Sequence, residues 1–130
     1  MFDLLHPGHV DVLVASAHAG RALIVGINSD ASARRLNKSL VPRPVQSATD
    51  RALMVAALDC VDRVVIFDED TPYELIKVLK PSVIVKGGDY TPESVVGADL
   101  VKGWKGRVKI VPLTRGYSTS STIAAILGPQ

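Results

Sequence analysis

Short apolar runs alternate along this chain with segments of helical periodicity. The runs span residues 22–27 (ALIVGI), 63–67 (RVVIF), 82–86 (SVIVK) and 108–111. Runs that lack polar alternation are typical of strands covered on both faces. Because helical patterns fill the intervals, the order predicts an α/β fold with a doubly wound, Rossmann-like parallel sheet in a single domain of residues 1–130. Ligands of such sheets bind at the carboxyl ends of the strands.

Helices are predicted over residues 10–19, 31–36, 49–59, 92–103 and 118–127, with a polar, proline-containing loop at 37–46. A further helix is predicted to begin near residue 72. There Thr71 serves as the cap, Pro72 takes the first helical position and Glu74 completes a capping box.

The beginning of the chain lacks one expected element. Only residues 1–5 precede the first helical pattern, which is too short for a strand and its turn. The strand that feeds the first helix normally lies in the middle of such a sheet, between the runs at 22–27 and 82–86. Without it, both neighbours would leave unpaired backbone groups, each costing about 1–3 kcal/mol when buried. We therefore expect a further strand of about six to ten residues upstream of Met1, within a longer natural chain.

Composition narrows the class of protein. A hydrophobic fraction of 47% with 22% charged residues is typical of a globular domain. A net charge of +2 is too small to indicate a nucleic-acid-binding surface. The single Cys60 excludes an internal disulfide, and the sequence shows neither a membrane-spanning segment nor a signal peptide. We expect a cytoplasmic domain.

The motif His6-Pro7-Gly8-His9 stands directly before the first helical pattern. Histidines three residues apart share one face of a helix, and the free N–H groups of a helix start favour phosphate. Gly8 lets the backbone approach a ligand closely. Two imidazoles beside an anion site suit an enzyme that splits a nucleoside triphosphate. The alternative is a pair of exposed or capping histidines.

Further motifs occur in a characteristic order. They are FDLLHPGHV at 2–10, NSDAS at 28–32, RPV at 43–45, Arg51, VKGGDY at 85–90 and GYSTSS at 116–121. Together they resemble the cytidylyltransferase-like superfamily, and most closely its adenylyltransferase domains for heptose 1-phosphate in lipopolysaccharide-core synthesis. The chain is also similar to glycerol-3-phosphate cytidylyltransferase, although Leu113 replaces an arginine of that enzyme. Related domains are fused to phosphoenolpyruvate phosphomutase in phosphonate pathways.

The resemblance implies attack by an acceptor phosphate on the α-phosphorus of a nucleoside triphosphate, brought in with Mg²⁺. It implies three sets of site residues and no metal ligand from the protein. The catalytic residues would be His6, His9 and Lys38; the nucleotide-binding residues Phe2, Asp3, Gly8, Lys86, Gly87, Gly88, Asp89, Ser118, Thr119 and Ser120; the acceptor-binding residues Asp3, Arg43 and Arg51. For the two arginines, pairing with Asp50 or Asp59 is an alternative. A tight turn would equally explain Gly87-Gly88, and plain helix capping would explain Ser118.

These patterns predict a nucleotidyltransferase that transfers NMP from ATP or CTP to a small phosphate acceptor of the heptose 1-phosphate type. A hydroxyalkylphosphonate or a polyol phosphate is the alternative acceptor. A non-catalytic nucleotide-binding regulatory module is the alternative from another class. The expected partners are small-molecule substrates and a second copy of the chain, without nucleic acid or membrane.

Overall fold

Helices and strands alternate along residues 1–128, the part of the chain that the computed structural model describes. In chain order the elements are α1 (Pro7–His18), β1 (Ile24–Asn28), α2 (Asp30–Leu36), α3 (Ala48–Ala56), β2 (Arg63–Phe67), α4 (Tyr73–Leu79), β3 (Val83–Gly87), a single 3-10 turn (Pro92–Ser94), α5 (Ala98–Gly103), β4 (Arg107–Val111) and α6 (Thr119–Leu127). The predicted α/β, Rossmann-like class with parallel strands is confirmed.

The strands divide between two parallel pairs. β1 pairs with β2, from Ile24 opposite Arg63 to Asn28 opposite Phe67. β3 pairs with β4 over the same length, ending with Gly87 opposite Val111. Within residues 1–128, β1 and β3 are not hydrogen-bonded to each other. The structure therefore has two small sheets in place of one continuous sheet, and the further strand expected upstream of Met1 stays a prediction.

The main core cluster joins the first half of the chain. Leu13 of α1, Val25 and Ile27 of β1 and Val55 of α3 are buried against one another. Burial of such a side chain typically stabilises a fold by about 1.5–3 kcal/mol. Phe2 and Leu5 also pack on this cluster. As a result, residues 1–5 and the start of α1 are held close to the carboxyl end of β1.

The loops at the carboxyl ends of β1 and β2 are tied together. Ser29 donates to the Asp68 carboxylate at 2.6 Å, and Ser32 donates to the carbonyl of Glu69 at 2.7 Å. Arg35 adds an ion pair with Asp70 at 2.8 Å. These contacts fix α2 against the segment after β2, and so fix the point from which the loop 37–46 departs.

Several predicted helix boundaries were wrong. The helix predicted over 10–19 begins at Pro7, and the helix predicted over 49–59 ends at Ala56. Pro72 is the N-cap of α4 and not its first residue. Within residues 1–128, no side-chain hydrogen bond caps this end of the helix. The Thr71 hydroxyl lies 3.5 Å from the Tyr73 nitrogen, at the limit of hydrogen bonding, so the predicted capping box does not form. The predicted helix 92–103 is divided, because Gly97 adopts a left-handed φ of 88° directly before α5.

Within residues 1–128, no helix is both long enough and apolar enough to span a bilayer.

Candidate active site

His6 and His9 cap the first turn of α1. Nδ1 of His6 accepts a hydrogen bond from the Gly8 N–H at 3.1 Å, and Nδ1 of His9 accepts one from the His6 N–H at 3.2 Å. The two rings stack with centroids 3.7 Å apart and planes at 25°. The capping alternative is therefore confirmed, and it satisfies N–H groups that a helix start otherwise leaves free.

Capping fixes the tautomer of both rings. A neutral imidazole has one N–H and one acceptor nitrogen, so an accepting Nδ1 places the proton on Nε2. Burial lowers the pKa of His9 to about 4, helped by the neighbouring His6, the amino-terminal ammonium and Arg43. His9 is thus neutral at physiological pH and presents an Nε2–H donor. Capping uses the Nδ1 atoms and is therefore compatible with the predicted catalytic role of the Nε2–H groups, which stays a prediction.

Gly8 makes room for the His6 ring. A Cβ at this position would lie 2.8 Å from Cε1 of His6 and 2.9 Å from its Nδ1. Both distances are shorter than van der Waals contact allows, so any side chain here would displace the imidazole. Gly8 is buried and is required for the orientation of His6. Its predicted contact with the nucleotide stays a prediction.

Phe2 and Asp3 lie directly beside the histidines. The Phe2 ring is 5.3 Å from the His9 ring. The buried Asp3 carboxylate accepts from the N–H groups of Val45 at 2.7 Å and Gln46 at 3.0 Å, and from Nε of Arg43 at 3.0 Å. Burial alone would raise the pKa of Asp3, but these three donors together lower it. Asp3 therefore fastens the end of the loop 37–46 to the histidine motif.

Arg43 and Arg51 are both held by carboxylates, although not by the Asp50 or Asp59 that the sequence suggested. Arg43 pairs with Asp3 at the edge of the site, where its charge contributes to the low pKa of His9. Its predicted contact with the acceptor stays a prediction.

Arg51 is fully buried. It donates to the carbonyls of Gln46 at 2.9 Å and Met1 at 3.1 Å, and to Asp30 at 3.0 Å. Asp30 also accepts from the Ala48 N–H at 2.8 Å. In this structure Arg51 clamps α2, α3 and the first residue together, and contact with an acceptor would require it to leave these partners.

The start of α6 meets the same site. Ser118 is the N-cap, and its hydroxyl accepts from the Ser121 N–H at 2.9 Å. Thr119 is buried and donates to the carbonyl of Asp3 at 2.6 Å, while Ser120 is exposed. The ring of Tyr117 lies 6.2 Å from the His6 ring and nearly parallel to it. The N-terminus of a second helix is thereby placed beside the histidine pair.

The VKGGDY segment turns at the end of β3. Gly87 approaches α1 so closely that a Cβ would lie 2.9 Å from Cγ2 of Val12. Gly88 has a φ of 119° and donates its N–H to the carbonyl of Val111 at 2.9 Å. The close approach to α1 explains Gly87 and the positive φ explains Gly88, while their predicted contact with the nucleotide stays a prediction. Asp89 is exposed at the turn.

Lys86 contributes charge to this region. Its Nζ lies 5.1 Å above the ring of Tyr90. Burial and, after it, the positive charges of Lys86, Arg51 and Arg43 together lower the pKa of the Met1 amino group to about 6. The basic side chains predicted to bind nucleotide and acceptor thus converge near the histidines.

Lys38 is the predicted catalytic residue that the structure does not bring to this cluster. Asn37 closes a turn around it by donating to the carbonyl of Val41 at 3.0 Å and accepting from the Ser39 N–H at 3.1 Å. Lys38 is exposed on this turn, and its catalytic role stays a prediction.

Sequence reasoning missed two residues next to the histidines. The hydroxyl of Thr114 donates to the carboxylate of Asp11 on α1 at 2.8 Å. The two residues are 103 positions apart, and neither stands in a motif that indicates the other.

Among residues 1–128, no three His, Cys, Asp or Glu side chains come close enough together to hold a metal ion.

Comparison with known proteins identifies the family of this chain. The family model described as cytidylyltransferase-like matches residues 1–124. Bifunctional protein HldE of Geobacter metallireducens is 55% identical over 126 residues, which cover 97% of this chain and 25% of that protein. The HldE of Paramagnetospirillum magneticum is 54% identical over 127 residues, covering 98% and 26%. The chain spans about a quarter of the length of these curated relatives.

A solved structure has the same fold. The lipopolysaccharide core biosynthesis protein of Thermoplasma volcanium superposes with a TM-score of 0.67 at 28% identity, over 91% of this chain and 93% of that one. The chain belongs to the cytidylyltransferase-like family of nucleotidyltransferases.

Proposed function

We propose that this domain transfers AMP from ATP to a sugar 1-phosphate of the heptose 1-phosphate type and releases pyrophosphate. The observation that carries the proposal is the histidine pair. Both Nδ1 atoms accept backbone N–H groups, which leaves two Nε2–H donors beside the N-terminus of α6. The choice of substrates is supported by relatives named HldE at more than 50% identity and by a structural neighbour named for lipopolysaccharide-core synthesis.

In the proposed reaction, an oxygen of the acceptor phosphate attacks the α-phosphorus of the triphosphate. The new P–O bond forms as the bond from the α-phosphorus to the α–β bridging oxygen breaks, and pyrophosphate leaves with the electron pair. An anionic phosphate oxygen at neutral pH needs no general base, so positioning and charge stabilisation supply the catalysis. His6 and His9 would donate hydrogen bonds to the phosphates as charge moves onto the leaving group.

The state of His9 fits this task. With a pKa of about 4 the ring is neutral at physiological pH, so it can donate its Nε2–H as a hydrogen bond without carrying a second, acidic ring proton. Because its Nδ1 already accepts the His6 N–H, the ring is oriented before any ligand arrives. Such preorganised donors are typically worth about 10²–10³ in rate.

The remaining contacts are assigned by position. The first turn of α6 would receive the β and γ phosphates, since helix N-termini bind anions. Ser120 is exposed and Ser118 half-buried there, whereas the buried Thr119 would contribute through its backbone. The segment 86–89 would bind the nucleoside. Arg43 would contact the acceptor, and Lys38 would reach the α-phosphate when the loop 37–42 closes.

Mg²⁺ would arrive with the triphosphate. The residues fit that mode, because Mg²⁺ commonly keeps its waters and binds substrate phosphates with few protein ligands. Asp89 is exposed near the nucleotide region and could accept a hydrogen bond from a metal-bound water. The ion would neutralise charge on the triphosphate.

We further propose that the domain acts in the cytoplasm on small-molecule substrates without nucleic acid, and that two copies form a dimer. The net charge of +2 and the single cysteine support the first two statements. Exposed apolar side chains on α3 and α4, such as Leu53 and Val78, support the third. Light scattering after gel filtration gives the molecular mass that checks it.

Pyrophosphate release, measured for four nucleoside triphosphates against three acceptors, tests the proposed function. The acceptors are a heptose 1-phosphate, glycerol 3-phosphate and 2-hydroxyethylphosphonate. We expect release with ATP and the sugar phosphate. Release only with CTP and one of the other two acceptors would contradict the substrate assignment. Nucleotide binding without release for any pair would indicate a regulatory module.

A further inference from the structure

The loop 112–118 and the first residue of α6 contact the segment 3–11, which contains the histidine motif, at three places. Thr114 donates to Asp11, which lies on α1 two residues after His9. At the other end of the loop, Thr119 donates to the carbonyl of Asp3. Between these anchors the ring of Tyr117 lies against the His6 ring with an interplanar angle of 15°.

These attachments leave a short exposed tip formed by Arg115 and Gly116. Gly116 has a φ of 83°, so the chain reverses direction here, and a Cβ at this glycine would meet open space. Arg115 is exposed and, within residues 1–128, its guanidinium has no hydrogen-bond or ion-pair partner. A charged side chain without a protein partner is thus held on a pinned loop, one residue after Thr114 and three before the N-cap of α6.

We propose that Arg115 binds the pyrophosphate portion of the nucleotide, and that Asp11 acts as a positioning residue by holding Thr114. This inference rests on the proposed function and adds a specific residue to it. A planar guanidinium donates two parallel hydrogen bonds to phosphate oxygens, which a lysine cannot reproduce. In the chain, Arg115 stands between Thr114, which contacts α1, and Tyr117 and Ser118, which lie against His6 and cap α6. A leaving pyrophosphate held by the histidines and the start of α6 would therefore lie within reach of its side chain.

The hydrogen bond between Asp11 and Thr114 would fix the backbone next to Arg115. Gly8 also lies next to Thr114, because a Cβ added at this glycine would be 3.6 Å from Cβ of Thr114. Loss of the Thr114 hydroxyl would free the middle of the loop while leaving its ends attached at β4 and Thr119. We therefore expect the position of Arg115 to depend on Thr114, and the start of α6 not to depend on it.

Isothermal titration with inorganic pyrophosphate in the presence of Mg²⁺ tests the proposal without requiring turnover. Arg115→Ala should raise the dissociation constant by about tenfold or more, as expected for loss of charge-assisted hydrogen bonds. Arg107→Ala removes an equally exposed arginine from the opposite end of β4 and should change the constant less than twofold. Arg115→Lys should recover only part of the affinity.

The positioning role has its own pair of variants. Thr114→Val should weaken pyrophosphate binding severalfold, whereas Thr114→Ser keeps the hydroxyl and should bind as the parent does. The affinity for AMP should be the same for the parent and for each of these Arg115, Arg107 and Thr114 variants. Equal constants for Arg115→Ala and Arg107→Ala, or no binding of pyrophosphate by the parent, would overturn the proposal. Equal binding by Thr114→Val and the parent would overturn the positioning role.

The failure of this inference is distinguishable from failure of the proposed function. A chain that binds pyrophosphate through Arg115 but never releases it from ATP would retain this site and lose the proposed activity. If the Arg115→Ala variant turns over ATP as the parent does, the proposed function stands and the assignment of Arg115 to pyrophosphate fails.

Discussion

The imidazole rings of His6 and His9 stack 3.7 Å apart, and each uses Nδ1 to cap a backbone N–H of the same helical turn. One pair of side chains therefore stabilises the start of α1 and presents two Nε2–H donors. Replacement by alanine would remove both functions at once. The informative substitutions are those that keep the cap and remove the donor.

His6→Asn should separate the two functions. The asparagine Oδ1 can accept the Gly8 N–H, because Asn is among the best N-cap residues, so the melting temperature should stay within a few degrees of the parent. The Nε2–H donor is lost, and kcat should fall by about 10²–10³-fold. His18→Asn, near the other end of α1, is the control and should leave kcat unchanged. Turnover of His6→Asn within a few fold of the parent would end the catalytic assignment.

The low pKa of His9 predicts a pH-dependent stability. The folded pKa of about 4 lies below the ordinary value of 6.5, so the unfolded chain takes up this proton first as the pH falls. The contribution of neutral His9 is complete above pH 6.5 and is lost towards pH 4. Over that window one group can change the free energy of unfolding by at most about 1.4 kcal/mol per pH unit.

Urea unfolding between pH 4 and pH 8 measures this effect by comparison with His9→Asn. The other titrating groups are common to both proteins, so the difference in slope isolates His9. The parent should lose stability more steeply than the variant below pH 6.5. Parallel curves for the two proteins would contradict the shifted pKa.

Gly8→Ala should disable the site through a steric contact. The added Cβ would lie 2.8 Å from the His6 ring, which must then rotate away from its capping position. We expect kcat to fall at least tenfold and the melting temperature to drop. Gly20→Ala is the matched control, since a Cβ there would meet no atom within 4 Å. An active, stable Gly8→Ala protein would show that the ring position is not required.

Asp3→Asn should loosen the loop that ends at Gln46. The amide offers one acceptor oxygen where the carboxylate satisfied three donors, and an unpaired buried group costs about 1–3 kcal/mol. The free energy of unfolding should fall by that amount, and residues 43–46 should become cleavable in limited proteolysis. Asp50→Asn, at an exposed carboxylate, should change neither result. Equal effects of the two substitutions would refute the anchoring role.

The loop 37–42 should become ordered over bound nucleotide. Its internal hydrogen bonds all involve Asn37, Ser39 and Val41, which leaves Lys38 exposed at the turn. Hydrogen exchange in residues 37–42 should slow when ATP binds, and Lys38→Ala should lower kcat more than it weakens ATP binding. Identical exchange with and without nucleotide would contradict loop closure.

Sequence patterns predicted local structure well because local structure depends on neighbouring residues. β2 was placed at its observed bounds, and the HPGH motif was recognised as a helix start. The capping pattern of residues 71–74 placed the start of α4 one residue too early. The helix predicted over 92–103 failed for a tertiary reason: at Gly97, where φ is 88°, a Cβ would lie 2.8 Å from Cδ1 of Ile76, a contact that helical periodicity does not reveal.

The hydrogen-bond partners of the charged residues could not be predicted from the sequence. Asp3 meets backbone groups more than forty positions away, and Arg51 pairs with Asp30 and not with the nearer Asp50 or Asp59. Such pairs are set by the way α2 and α3 pack against β1, which no motif encodes. The contact of Asp11 with Thr114 belongs to the same class.

Transfer of label from ATP tests the central claim most directly. The chain is incubated with a heptose 1-phosphate and ATP labelled at either the α- or the γ-phosphorus, and the products are separated. The account predicts that α-label enters a sugar nucleotide, that γ-label leaves in pyrophosphate, and that His6→Asn slows both by about 10²–10³-fold. Entry of γ-label into the sugar product, or equal transfer of α-label by parent and variant, would contradict it.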